Sequence, residues 1–301
     1  MLNPPLVTFK ANRTPGSLPT LPAHALLAVE GPDSSAFLQA QMMNDVVSLA
    51  PGSWQWNGWL SPKGRVIALF ALLHVEPGLF LVILPDFPAV ELRERLQRFV
   101  FRSKVSLRCV DEYKCASYFP VQAPSASGRE IAEGDRQLGW RLDMGGDAVA
   151  RELFVLPARD ALLAAEDSAA GDAWFTHDLA HGLPRLGIDQ REAWTPQMLS
   201  LDRLRAFSLK KGCYPGQEIV ARTHFLGKAR RGLARLAGSG LETGMLVLND
   251  KGESSGQLIC VSPDGSQALA VVQVDHVDQL ISAGGKLVTA LALSTGLQRP
   301  V

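Results

Sequence analysis

Residues 210–222 read KKGCYPGQEIVAR, and the segment holds more chemistry than a turn requires. Gly212 and Gly216 permit positive φ or close backbone approach, and Pro215 stiffens the turn between them. Gln217 and Glu218 then project an amide and a carboxylate from the start of a following helix. A carboxylate accepts two hydrogen bonds side by side, so this pair suits a planar heterocycle with an N–H/NH₂ edge. A plain interdomain turn would explain the glycines but not the concentration of polar groups. Cys213 admits two readings. Beside Lys210, Lys211 and a helix N-terminus, its thiol has surroundings that favour a nucleophile, a redox group or a transient cluster ligand. The alternative is a small residue packed in a tight loop. One cysteine does not hold an iron–sulfur cluster by itself, since such clusters take four thiolates.

Other candidates lie on either side of this segment. In AWFTHDLAHG, Trp174, His177 and His181 fall at i, i+3 and i+7 and share one helical face. Trp174 there can stack on a flat ring or simply pack. His177 and His181 have metal-ligand spacing, but no glutamate follows the first histidine, and no metal site is expected. Arg222, Lys228, Arg230 and Arg231 make a local basic run, suited to the carboxylates or phosphate of a ligand, or else a solvated helix face. With zero net charge over the whole chain, direct nucleic-acid binding is not expected of this run. Cys109, Cys115 and Cys260 sit in strand-like apolar settings and read as core.

The elements that must position these residues belong to an ordinary globular chain. It has 301 residues, 47% hydrophobic and 20% charged, which is long for one core and suits two or three domains. Thirty basic and thirty acidic residues cancel, so no global field points to bulk binding of nucleic acid or membrane. Four scattered cysteines without a CxxC pair, and no secretory leader or apolar run of membrane-spanning length, point to a reducing, cytoplasmic setting; a monomer is expected.

Residues 1–22 are rich in proline and read as an extended lead-in. A first α+β domain spans 23–119. It has a strand at 24–31, a helix at 34–47 capped by Asp33, and hairpins turning at Asn57-Gly58 and Pro62-Lys63-Gly64. A strand at 79–85, a helix at 87–101 and the strand KVSLRCV complete it. The stretch 120–135 is loop-like, and a second α/β portion runs from 120 to 231, with a strand at 152–156 and helices at 158–166 and 172–181. From 232 to 301, short strands and glycine-rich turns predict a small β-barrel.

Several of these segments resemble one family. The pair PQ (196–197), KKGCYPGQEIVAR and HFLGKARR (224–231) are similar to the K-G-C-[YF]-x-G-Q-E signature of the YgfZ family, folate-binding relatives of the glycine cleavage aminomethyltransferase. GPDSSAFLQAQMMNDV (31–46), LSPKGRVIALF and FRSKVSL (101–107) resemble family segments in the same order. Ser200 departs from the asparagine that the family often has after the PQ pair. The resemblance implies pseudo-symmetric α/β domains around a central cavity for tetrahydrofolate or a one-carbon derivative, with the barrel at the C-terminal end.

It also implies folate contacts at Trp174, Lys211, Gly212, Tyr214, Gly216, Gln217, Glu218, Arg222 and, where the family has an aromatic, His24. Further, it implies transient contact with iron–sulfur proteins, supporting their synthesis or repair, radical tRNA-modifying enzymes included, through the thiol of Cys213. The aminomethyltransferases carry an aspartate pair where this chain has Ala68 and Leu69, so ordinary aminomethyl transfer lacks its acid–base group. The alternatives are a transferase with another substrate and a non-catalytic interaction scaffold.

Overall fold

The computed structural model describes residues 6–21, 23–120, 132–147, 149–226, 230–275 and 280–299. The chain opens with helix α1 (Leu6–Ala11) and strand β1 (Leu18–Thr20). Within the expected extended lead-in, the described residues thus form a helix and a strand. Leu6, Phe9 and Leu18 are buried with Phe154, Leu156 and Leu162, and the Phe9 and Phe154 rings stack 4.7 Å apart. Proline content tells of unhelical backbone, not of the apolar residues between the prolines.

The first unit follows as β2 (Ala25–Glu30), α2 (Ser34–Gln41), β3 (Trp54–Leu60), β4 (Val66–Glu76), β5 (Leu79–Leu84), α3 (Ala89–Gln97) and β6 (Ser106–Cys109). Its strands form an antiparallel sheet in the order β3-β4-β5-β2-β6. Strands β4 and β5 are apolar almost throughout because both faces are covered. Trp59, Ile67, Phe70, Phe80 and Val82 face a core with Phe37 and Leu38 of α2 and Leu92 and Leu96 of α3. The alternate residues Trp54, Trp56, Leu69, Leu73, Leu81 and Ile83 face the central core of the molecule. Each fully buried large apolar side chain there contributes about 1.5–3 kcal/mol.

Three local expectations fail in this unit, each for a tertiary reason. Helix α2 ends at Gln41, not 47, because Met42 is extended and bridges Trp59, while the Met43 N–H donates to the Gly58 carbonyl. Asn57-Gly58 is not a turn but the middle of β3, where the Asn57 Oδ1 accepts the Asn44 and Gly58 N–H groups. Asp33 occupies the cap position, yet its Oδ2 accepts the Lys104 N–H (2.7 Å) rather than a helix amide.

The second unit contains β7 (Tyr113–Tyr118), β8 (Glu133–Asp135), β9 (Gly139–Asp143), β10 (Glu152–Pro157), β11 (Leu163–Glu166) and α4 (Ser168–Ala180). Its sheet runs β11-β1-β7-β10-β9-β8, so β1 inserts between β11 and β7. Strand β7, within the span expected for the first domain, pairs in this second sheet. The expected helix at 158–166 is absent: a turn leads into β11, which pairs in parallel with β1. Trp140, Leu142, Leu153 and Val155 of this sheet, with Trp174 and Leu179 of α4, close the central core against the first sheet. Most of the loop-like 120–135 stretch lies outside the described residues.

Two short 3-10 turns, Ile188–Gln190 and Leu201–Leu204, lead to α5 (Gln217–Leu226). The chain ends in β12 (Arg231–Ala237), β13 (Leu246–Asn249), β14 (Ser254–Val261), β15 (Gln267–Gln273), β16 (Leu280–Ala283), β17 (Lys286–Leu287) and β18 (Thr289–Leu291). These seven make one antiparallel sheet, β17-β16-β13-β14-β15-β12-β18, curled as half a barrel over its own apolar core. Among the described residues no helix is long and apolar enough to cross a membrane.

Candidate functional site

The loop before α5 is held from behind. Lys211 is buried, and its Nζ donates to the carbonyls of Gln39 (2.6 Å), Met42 (2.5 Å) and Asn44 (3.0 Å), where α2 ends. Burial pushes this ammonium down to about 8, which still leaves it charged at neutral pH. The Tyr214 ring lies under it at 4.8 Å and is itself buried, with a hydroxyl pushed up to about 12. Gln217 Nε2 donates back to the Lys211 carbonyl (3.2 Å), so the amide closes the loop. Gly216 sits at φ 80°, where an added Cβ would lie 2.6 Å from the Cα of Gly64 in the β3–β4 hairpin. The motif is thereby clamped onto the Pro62–Gly64 turn. Gly212, Cys213, Glu218 and Arg222 face outward and are exposed. With the Lys211 ammonium turned into the protein, it is not the cation expected beside the Cys213 thiol.

A cavity of ≈ 830 Å³ opens beside this loop, walled by the chain after α2, residues 197–210, the end of α5 and the first strand of the C-terminal sheet. Arg205, Lys210 and Arg231 bring positive charge to it, and Asp45 and Asp202 bring negative charge. Gln197 donates its Nε2 to the Val220 carbonyl (2.8 Å), leaving a buried Oε1 with no partner among the described residues. Ser200 and Arg205 bracket the 3-10 turn at φ 49° and 52°, left-handed values that side chains rarely adopt. Asn44 fixes this turn by donating to the Arg205 carbonyl (2.8 Å), and Ser200 Oγ accepts the Leu233 N–H (3.0 Å). Strained backbone held by such bonds accompanies binding sites more often than plain turns.

The third group of candidates sits around α4, whose first turn is capped by Asp167 accepting the Ala169 N–H. Trp174 is 2% exposed, and the Arg151 guanidinium lies 4.0 Å from its ring. Arg151 Nη2 donates to Asp178 Oδ1 (2.5 Å), and Arg185 Nη2 donates to Asp178 Oδ2 (2.9 Å). Flanked by both guanidiniums, Asp178 keeps its carboxyl below the usual carboxylate range despite burial. His181 Nδ1 donates to the His177 carbonyl (2.9 Å), and the two rings meet edge to face at 4.2 Å. Burial, and then the nearby Arg151 charge, push His177 down to about 2, and His181 is lowered for the same first reason.

The sequence-predicted residues therefore fall into three groups. Trp174 and His24 do meet, their rings 6.4 Å apart, around a cavity of only ≈ 20 Å³, room for about one water. Lys211, Tyr214 and Gln217 serve the loop itself, whereas Cys213, Glu218 and Arg222 lie outside the large cavity. Of the basic run, Arg231 lines that cavity, and Lys228 lies outside the described residues. The sequence reading missed Asn44, Asp45, Asp202, Arg205 and Ser208. They come from connections with no periodic pattern, and only the neighbouring PQ pair marked the region. Ala68 and Leu69 are both buried in β4, where neither supplies a carboxylate. Among the described residues no group of three His, Cys, Asp or Glu side chains is placed to hold a metal ion.

Comparison with known proteins fits this geometry. No family model matches the chain. A tRNA-modifying protein YgfZ of Vibrio vulnificus is 30% identical over 223 residues, covering 71% of this chain and 68% of the relative. The chain belongs to the YgfZ family. The Klebsiella pneumoniae YgfZ is 28% identical over 255 residues, with 78% and 76% covered. Among solved structures, the glycine cleavage system aminomethyltransferase T of Bartonella henselae superimposes with a TM-score of 0.69 at 17% identity. That match covers 95% of this chain and 88% of the enzyme, and it shows the fold that this YgfZ-family chain shares.

Proposed function

We propose that this protein binds a folate in the ≈ 830 Å³ cavity and acts as an accessory protein rather than as an ordinary aminomethyltransferase. The observation that carries the reading is the cavity's lining. Its volume lies within the range of small-molecule sites. Arg205, Lys210 and Arg231 suit the glutamate carboxylates of a folate. The unpartnered Gln197 Oε1, with Asp45 and Asp202, suits the N–H/NH₂ edge of a pterin. A bound tetrahydrofolate would supply a carrier for one-carbon units. The chain's own residues would hold and orient it, and Ala68 and Leu69 leave no acid–base group where aminomethyl transfer uses aspartates.

The outward thiol of Cys213 belongs to a second step of this reading. In it the loop meets a partner protein, and the iron–sulfur enzymes whose upkeep the family resemblance implies are the candidates. The tRNA-modifying name of the relatives supports enzymes of that kind. The protein would work in the cytoplasm as a monomer, with contacts made transiently.

Isothermal titration with 5-formyltetrahydrofolate tests the first step. Saturable one-to-one binding is expected, weakened on the order of tenfold by Arg231→Glu, since a charge-assisted bond is worth about 1.5–3 kcal/mol. No saturable heat with the wild-type chain would overturn it. For the second step, a Cys213→Ser strain should lose the tRNA modification that the wild-type gene restores to a null strain.

A further inference from the structure

Residues 98–104 read Arg-Phe-Val-Phe-Arg-Ser-Lys and connect α3 to β6. This connection is pinned. Val100 is buried, its N–H donates to the Gln97 carbonyl (3.2 Å), and the Ser103 N–H donates to the Val100 carbonyl (2.8 Å). Lys104 donates its N–H to Asp33, and its carbonyl lies so near Gly31 that a Cβ there would sit 2.1 Å away.

On this fixed base, Phe101 stands 87% exposed at φ 38°. A bulky residue at positive φ is a true outlier, and such strain persists where the surroundings impose it, often at binding surfaces. Phe99 is partly exposed beside it, edge-on to Trp59 with centroids 6.3 Å apart. Arg98, Arg102 and Lys104 are exposed, and none joins an ion pair among the described residues. The nearby acids are engaged: Asp33 with the Lys104 amide, Glu94 with Arg93, and Glu91 with Arg95 and Arg191.

We propose that the 98–104 loop is a docking site for single-stranded nucleic acid. A base stacks on the open face of Phe101, and Arg98, Arg102 and Lys104 take the adjacent phosphates. Stacking platforms framed by cations are the means by which proteins hold single strands without reading sequence, because every base has a π-face. The expectation of no nucleic-acid contact rested on the basic run at 222–231 and on the zero net charge of the chain; at 98–104 two exposed aromatics stand among three exposed cations. A protein partner fits less well. The apolar surface is two rings wide and bordered by charge, whereas the centre of a protein interface is depleted of charge. None of these residues lines the ≈ 830 Å³ cavity, so the proposal stands independently of folate binding.

Fluorescence anisotropy of the full chain with labelled twelve-nucleotide oligouridine and oligothymidine tests the proposal. Saturable binding of either strand is expected, with a log–log salt slope of about −2 from three phosphate contacts at ~0.7 each. Phe101→Gly should weaken binding about tenfold, within the range for losing one stacked base. It should leave the protein folded, because glycine tolerates the positive φ. The combined variant Arg98→Glu, Arg102→Glu, Lys104→Glu should abolish binding, and Arg159→Glu, an exposed charge in the second unit, should leave it unchanged. Three results would overturn the proposal. These are no saturable binding by the wild type, binding that survives Phe101→Gly undiminished, and displacement by polyglutamate at the same phosphate-equivalent charge, which would assign the loop to an acidic protein.

Discussion

Between Lys210 and Arg222 the side chains divide by direction. Lys211, Tyr214 and Gln217 turn inward to carbonyls, a buried ring position and the loop's own backbone, whereas Cys213, Glu218 and Arg222 turn outward. Around α4 the central cluster turns inward instead: Arg151, Asp178, His177 and His181 are all buried, with Arg151 paired to Asp178 and His181 Nδ1 donating to the His177 carbonyl. Two stretches equally dense in ionisable residues thus do different work. Around α4, charge fixes the packing of the second unit. In the motif, one half anchors the loop and frees the other half for solvent and partners.

That contrast can be broken most severely at Asp178. Asp178→Asn leaves the buried Arg151 guanidinium without its counter-charge, and removing one partner of a buried pair costs about 3–5 kcal/mol. Urea denaturation should show a loss of this size, and a loss under about 1 kcal/mol would mean that the cluster is not structural. Lys211→Met comes next. It strips a charged donor from three carbonyls, for an expected loss of about 2–3 kcal/mol in the same experiment.

A smaller effect belongs to pH. His177 is held near 2 in the folded chain and rises to about 6.5 when unfolded, so below pH 6.5 the unfolded state binds the extra proton. Stability should therefore be full above pH 6.5 and fall by ~1.4 kcal/mol per pH unit beneath it, about 2 kcal/mol by pH 5 from this residue alone. His177→Gln should flatten that slope. At the outward end of the comparison, Cys213→Ser should change stability by less than about 0.5 kcal/mol, as surface changes do.

Much of this arrangement was readable from residues, and the failures have physical causes. The apolar run VIALFALLHV marks β4, because a strand buried on both faces needs such an unbroken run, and Pro62-Lys63-Gly64 marks the hairpin turn before it. The helix beginning at Gln217 followed from the glycine–proline turn before it. By contrast, β1 and β11 were invisible: each is short, and their parallel pairing joins residues some 145 positions apart, such as Leu18 with Leu163. The large cavity was equally hidden, since its lining comes from connections whose geometry rests on the left-handed Ser200 and Arg205. Direction was the other unreadable quantity. Nothing in KKGC says that the second lysine points in and the thiol out; the carbonyls at the end of α2 decide it.

Thiol titration of the native protein with an aromatic disulfide reagent tests the inward–outward division most directly. Cys115 and Cys260 are buried, with thiols pushed up to about 12, while Cys213 is exposed. The account predicts that Cys213 reacts fastest, ahead of the half-buried Cys109, with its fast phase mapped by peptide mass spectrometry and absent from Cys213→Ser. A slow Cys213, or a fast equivalent from Cys115 or Cys260, would contradict it.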